Sequence, residues 1–247
     1  MLSIVICTLN EEQYLPKLLD SIASQQGVIY EIVIADSGSD DDTEGVANRY
    51  KTEKKLPINF VSNKIRNISV QRNIGAKHAR FENLLFLDAD VVLPDNFLKE
   101  AFIDRILKDE IKLAGTKIYA TESKWKYRLM YWNYSNLYLP LLRLFKPAMH
   151  GCSIFSCKEI HNKIGGFNEG MIFEDYRYGV DALPFYRAKL LKGVYVKTSA
   201  RRFYNASFRS SMELLLAGVY SLFRAGIKGK YMKEYFKTAG NHSAPRY

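Results

Sequence analysis

Between residues 1 and 122, short apolar runs alternate with stretches of helical period, and this alternation limits most tightly what the chain can become. Leu2-Ser3-Ile4-Val5-Ile6-Cys7 reads as a strand. Residues 11–25 read as an amphipathic helix with Leu15, Leu18, Leu19 and Ile22 on one face. Strand character returns at residues 31–35, 58–61, 84–87 and 113–118, with helical character at 43–50, 70–80 and 97–107 between them. Strands joined through helices run parallel, because the helix carries the chain back to the end of the sheet where the previous strand began. The expected class is therefore α/β, a mostly parallel sheet flanked by helices on both faces. Such sheets receive ligands beyond the carboxyl ends of their strands.

Three polar clusters fall at those ends: Thr8-Leu9-Asn10-Glu11, Asp36-Ser37-Gly38-Ser39-Asp40 and Asp88-Ala89-Asp90. The last follows the apolar run Leu84-Leu85-Phe86-Leu87, where uncompensated carboxylates would be costly. Hard divalent cations take oxygen ligands, and Mg2+ is commonly held by one or two carboxylates together with substrate phosphates. Asp88 and Asp90 thus suit half of a metal–diphosphate site. Asp-x-Asp alone more often marks a turn or a helix cap; the three other segments that fall into register with it are what favour the chemical reading.

The second half is less regular. Residues 125–145 read as a helix crowded with aromatics, ended or kinked at Pro140. Residues 158–164 read as a short helix closed by Gly165-Gly166, 176–189 as a helix disturbed at Pro184, and 194–197 as a strand. Residues 208–237 read as one or two amphipathic helices. Their apolar positions are Met212, Leu215, Leu216, Val219, Tyr220 and Phe223, and Arg224, Lys228, Lys230, Lys233 and Lys237 follow. The expected organisation is a domain over residues 1–207, with a nucleotide-binding half (1–122) and an acceptor-side half (123–207), and a basic helical extension over 208–247.

Of the 36 Lys and Arg residues, 21 lie after residue 122, against 7 of the 26 Asp and Glu residues. Such asymmetry points to an anionic partner for the second half. Aromatic residues beside basic ones favour a membrane interface, so residues 123–146 and 208–237 are candidates for peripheral membrane contact. No recognition motif supports nucleic acid as the partner. With no apolar run of about 18 residues, no spanning helix is expected. Three cysteines without metal spacing, and no secretory pattern at the start, fit a cytoplasmic protein, at the inner face of a membrane if it binds one.

Taken together the motifs resemble glycosyltransferase family 2, over residues 2 to about 203. Ser3-Ile4-Val5-Ile6-Cys7-Thr8-Leu9-Asn10-Glu11-Glu12 is similar to that family's opening strand and nucleotide loop, and Glu31 to Thr43 to its second strand and Asp-containing turn. Gln71-Arg72-Asn73-Ile74-Gly75-Ala76-Lys77-His78-Ala79 resembles its Ala-Arg-Asn-x-Gly helix, with Gln71 where Ala is usual. Asp88-Ala89-Asp90 matches its metal motif. Gly165-Gly166-Phe167-Asn168-Glu169 with Phe173-Glu174-Asp175 matches its acceptor-side segment, although Tyr176-Arg177-Tyr178 departs from the usual continuation.

The resemblance implies a GT-A-type, Rossmann-like fold and an enzyme that moves a sugar, with inversion, from a nucleoside-diphosphate sugar. UDP- or GDP-linked donors are the leading candidates, and the acceptor is a glycan hydroxyl or a lipid-linked phosphate. Mn2+ or Mg2+ is the implied cofactor. The implied nucleotide-sugar residues are Thr8, Leu9, Asn10, Glu11, Asp36, Arg66, Arg72, Asp88 and Ala89, with Asp90 the direct metal ligand and Asp88 on metal or ribose. Asp175, with Glu174, is the implied general base, unneeded if the acceptor is already an anionic phosphate. Arg201 and Arg202 are placed to close over the diphosphate, or else form a plain basic loop; His150 is a metal ligand or a structural residue. A rival reading is a nucleotide-binding or membrane-docking protein that kept the fold without catalysis. A sugar nucleotidyltransferase or a Rossmann dehydrogenase would need a Gly-rich loop after the first strand, and none stands there.

Overall fold

The computed structural model describes residues 1–145, 147, 149–171 and 173–203. The helical extension expected over 208–237 lies outside them. Four strands open the chain: β1 (Leu2–Thr8), β2 (Tyr30–Asp36), β3 (Ile58–Ser62) and β4 (Asn83–Asp88). They are connected by α1 (Leu15–Ala23), α2 (Thr43–Thr52) and α3 (Ile68–His78). β1 lies between β2 and β4, parallel to both, and β3 pairs parallel outside β2. Helices cover both faces here, and every residue of β1 is buried, as continuous apolar runs in parallel strands require.

Local chemistry sets the helix positions. α1 buries the expected stripe of Leu15, Leu18, Leu19 and Ile22. α3 is capped by Asn67, whose side chain accepts from the amides of Ser69 and Val70. Gly75 brings α3 close to the sheet, since a Cβ there would fall 2.2 Å from Val5 Cγ1.

After β4 come β5 (Val91–Val92), a helix wound wider than an α-helix over Lys99–Leu107, and β6 (Leu113–Ala120). The second half contributes α4 (Trp125–Asn133), a wide helical turn at Tyr134–Tyr138, α5 (Leu139–Phe145), β7 (Ser153–Cys157), α6 (Lys158–Lys163), α7 (Glu174–Asp181) and β8 (Lys189–Thr198). A 3-10 turn, Arg201–Phe203, closes the described chain. The mixed sheet runs β3-β2-β1-β4-β7-β6-β8-β5.

Three features differ from the sequence expectation. β7 was not anticipated; it runs antiparallel between β4 and β6, so β6 is separated from the parallel set. The helix expected over 176–189 ends at Asp181, and β8 already begins at Lys189. Pro184 explains the stop, having no amide to donate and disfavouring helical geometry in Leu183. Pro140, expected to end or kink its helix, instead falls inside a nearly continuous one. The chain widens over Tyr134–Tyr138 just before it, which eases the clash of the proline ring with the preceding turn.

Candidate active site

The carboxyl ends of β1, β2 and β4 form one rim. Thr8 is in register with Asp36 and Cys7 with Asp88, so the two aspartates flank β1 on either side. Two strand spacings separate them, about 10 Å. Behind this rim Gln71, buried on α3, donates to the carbonyls of Thr8 at 2.6 Å and Ala35 at 3.2 Å. The Thr8 carbonyl also accepts from the Ser37 amide at 3.0 Å, so Gln71 adds a second bond where β1 and β2 end. Gln71 stood out in the sequence only as a departure from a motif.

Asp36 shapes the loop around it. Its Oδ1 accepts from the hydroxyls of Thr8 and Ser39, and its Oδ2 from the amides of Gly38 and Ser39, each at 2.9 Å. A carboxylate has roughly four acceptor sites, so its capacity is filled. Asn10, with φ 58°, receives the Asp40 amide on its side chain and donates its own amide to Ser39 Oγ. The Glu11 amide donates to Thr43 Oγ1. Leu9 is half-buried between these loops. Arg66 reaches across the same turn to Asp40, at 2.7 Å, where Asp40 is largely exposed. Such a pair holds the loop only weakly.

Arg72 lies in the interior. It is 2% exposed, with Nη1 2.6 Å from Glu174 Oε1 and Nη2 3.1 Å from Asp88 Oδ1. Nη2 also donates to the carbonyl of Gly151, and the guanidinium lies 5.1 Å from the Phe167 ring centre. One side chain thus ties the end of β4 to the first residue of α7 and to the segment entering β7. Burial alone would push the Arg72 pKa down; Glu174 and Asp88 outweigh it and hold the group firmly charged. Burial raises the Glu174 carboxyl to about 7, against the pull of Arg72 and with a further push from Asp175.

Asp175 stands beside Glu174 at the N-terminus of α7 and is partly exposed. Burial raises its pKa, opposed by Arg72 and by the amides of Tyr176 and Gly151. His150 donates through Nε2 to the Thr116 carbonyl at 2.6 Å, leaving Nδ1 unprotonated and enclosed without a hydrogen-bond partner. Burial pushes its pKa down to about 4.

Across the rim, Asp90 Oδ1 accepts from Thr198 Oγ1 at 3.2 Å and Oδ2 lies 3.1 Å from Arg201 Nε. Arg201 also makes a two-pronged bond to Glu11, at 2.9 and 2.6 Å, and its guanidinium sits 4.3 Å from the Tyr14 ring centre. Glu11 is buried, which raises its pKa while Arg201 opposes the rise. The Ala89 side chain, in contrast, points into the apolar core. Among the described residues no group of three or more His, Cys, Asp or Glu side chains is gathered to hold a metal. The donor chemistry at Asp88 and Asp90 is nevertheless of the kind a hard cation takes: two carboxylates, each with a guanidinium group, of Arg72 or Arg201, beside it.

A mixed α/β sheet with Asp36 and Asp88 at strand ends on either side of β1, and the N-terminus of α7 tied to the same rim, is of the class that comparison with solved structures identifies as GT-A-type. Residues 3–167 match the family described as glycosyl transferase family 2, and the chain belongs to that family. It is 31% identical over 119 residues to the poly(ribitol-phosphate) beta-N-acetylglucosaminyltransferase TarS of Staphylococcus aureus, a match covering 46% of this chain and 21% of TarS. With the dolichyl-phosphate beta-glucosyltransferase of Drosophila melanogaster it shares 34% identity over 101 residues, 36% of this chain and 30% of that protein. The chain thus matches less than a third of either relative's length. Among solved structures, the mannosyltransferase PcManGT of Pyrobaculum calidifontis, in complex with GDP-Man and Mn2+, superposes with a TM-score of 0.68 at 17% identity. That match covers 99% of this chain and 66% of PcManGT. TarS 1–349 in complex with UDP-GlcNAc gives 0.65 at 19% identity, covering 81% and 58%. These superpositions show the shared fold.

Proposed function

We propose that this protein transfers a glycosyl group from a UDP- or GDP-linked sugar to an acceptor hydroxyl or a lipid-linked phosphate, with inversion at the anomeric carbon. The observation that carries the reading is the Arg72 bridge, which joins Asp88 to the α7 terminus bearing Asp175 in a chain of this family. The loop of Thr8, Leu9, Asn10 and Glu11 and the turn shaped by Asp36 receive the nucleoside. Asp90 and Asp88 are the residues to hold Mn2+ or Mg2+, which when bound would offset the charge growing on the diphosphate leaving group. Arg201 lies beside Asp90 as the chain's own cation at that point.

Asp175 takes the acceptor's proton. Its burial-raised pKa brings it closer to working pH, where a general base is most effective. Glu174 does not share that duty; Arg72 holds it, and through it the start of α7. Where the acceptor is a phosphate already anionic, Asp175 positions rather than deprotonates. Peripheral membrane contact through residues 123–146 belongs to the same reading, whereas the contact expected through 208–237 falls outside the described residues.

A thermal-shift panel of UDP-, GDP- and dTDP-sugars, with and without Mn2+, tests this directly. Metal-dependent stabilisation by one nucleotide class is expected, and its loss in Asp90→Ala. Equal shifts in wild type and variant would remove Asp90 from the site.

A further inference from the structure

The run from Trp125 to Phe145 has two sides. Inward, Tyr127, Tyr131 and Leu139 are buried in the core, and Ser135 bonds both backbone groups of Ile118. Outward, Trp125 and Leu144 are 75% and 74% exposed, and Leu129, Trp132, Leu137 and Leu141 lie about half exposed between them. A helix packed on a soluble domain normally turns polar residues to water, so this outer stripe runs against expectation.

The stripe is also basic. Residues 123–145 hold Lys124, Lys126, Arg128 and Arg143 and no acidic residue. Glu122, just before them, is bonded inward to Ser199 and the Ala200 amide. Arg143 donates to the Ala188 carbonyl and Arg187 to that of Arg143, which fixes the loop carrying exposed Phe185 against α5. Exposed Arg187 and Lys189 extend the basic border.

We propose that this face of α4 and α5 docks on an anionic lipid bilayer, with Trp125 and Trp132 at headgroup level and Lys124, Lys126, Arg128 and Arg187 against the acidic headgroups. Charge selects this occupant. A second copy would set one basic face against another, and residues 224–237 of this chain, with five basic residues and one acidic, carry the same sign. Indole rings prefer the interface, where one edge is apolar and the other wet, and each basic residue adds attraction to anionic lipid. Tyr134, on the same run, has its ring centre 6.3 Å from that of His150, and the carbonyl of the next residue, Gly151, accepts from Arg72 of the candidate site. The consequence, which rests on the glycosyl-transfer reading, is a lipid-borne acceptor.

The test floats the full chain with vesicles of phosphatidylcholine alone and of phosphatidylcholine mixed with phosphatidylglycerol. Binding to the mixed vesicles is expected, weakened by salt and by about tenfold or more in the Trp125→Glu, Leu144→Glu double variant. Nucleotide-sugar thermal shifts should be unchanged in that variant, since neither residue touches the site. No wild-type binding, or equal binding by the variant, overturns the proposal. So does a dimer that the double substitution dissociates, because the stripe is then a protein interface. Vesicle binding without any nucleotide-sugar stabilisation would remove the catalytic reading and leave the docking surface standing.

Discussion

Arg72 and Glu174, 102 positions apart in sequence, meet at 2.6 Å in the interior and fix α7 to the end of the parallel sheet. Breaking a buried pair from one side strands a charge. Arg72→Met should therefore cost about 3–5 kcal/mol of stability, read by chemical denaturation. The double variant Arg72→Met, Glu174→Gln should recover part of that loss. Additive losses would mean that the pair is not coupled.

Asp175 and Glu174 should separate kinetically. Asp175→Asn is expected to lower kcat by about 10²–10⁴-fold with little change in nucleotide-sugar affinity. Glu174→Gln should instead act through stability and positioning, with a smaller fall in kcat. If both variants behave alike against an acceptor alcohol, Asp175 is not the base.

Arg201 occupies the Asp90 carboxylate that a cation would use in the proposed function. Its guanidinium sits 3.1 Å from Asp90 Oδ2, so Arg201→Ala should tighten Mn2+ binding by several-fold, measured calorimetrically without substrate. Unchanged or weaker binding would show that Arg201 and the metal do not share that carboxylate.

His161 makes stability depend on pH. In the folded protein burial lowers its pKa from 6.5 to about 4, helped by Lys158. The unfolded chain binds the proton first, so the stabilisation is complete above pH 6.5 and is lost as pH falls toward 4. At pH 5 the loss is about 2 kcal/mol. His161→Gln should flatten the fall in Tm between pH 7 and pH 5. Glu174, shifted upward, has the opposite sign, so the difference between wild type and variant isolates the histidine.

Gly75 measures how closely α3 sits on β1. A methyl there meets Val5 Cγ1 at 2.2 Å, and Gly75→Ala should destabilise by about 1–3 kcal/mol despite its better helix propensity. Adding Val5→Ala should relieve much of the cost. Stabilisation by Gly75→Ala alone would mean that α3 stands further off.

Much of the first half was legible in the chain itself. Apolar runs and helical stripes are local signals, and those behind β1, β2 and β4 place three polar clusters at one rim by the rule that parallel strands end together. The family, too, was carried by local motifs. β7 was hidden because Ser153-Ile154-Phe155-Ser156-Cys157 is short and lacks clear alternation; it becomes a strand by pairing with β4 and β6. Helical propensity in residues 182–188 was overridden by Pro184, and Lys189 is taken up by pairing with β6.

Which charges face one another was never a local property. Sequence alone presents Asp88, Asp90, Glu11, Glu174, Arg72 and Arg201 as acids and bases at separate motifs. Only the packed chain binds Arg72 to Asp88 and Glu174, and Arg201 to Glu11 and Asp90, across as many as 190 positions. Strand and helix follow from the periodicity of neighbouring residues, whereas ion pairing follows from distance and burial, which arise once the sheet has closed.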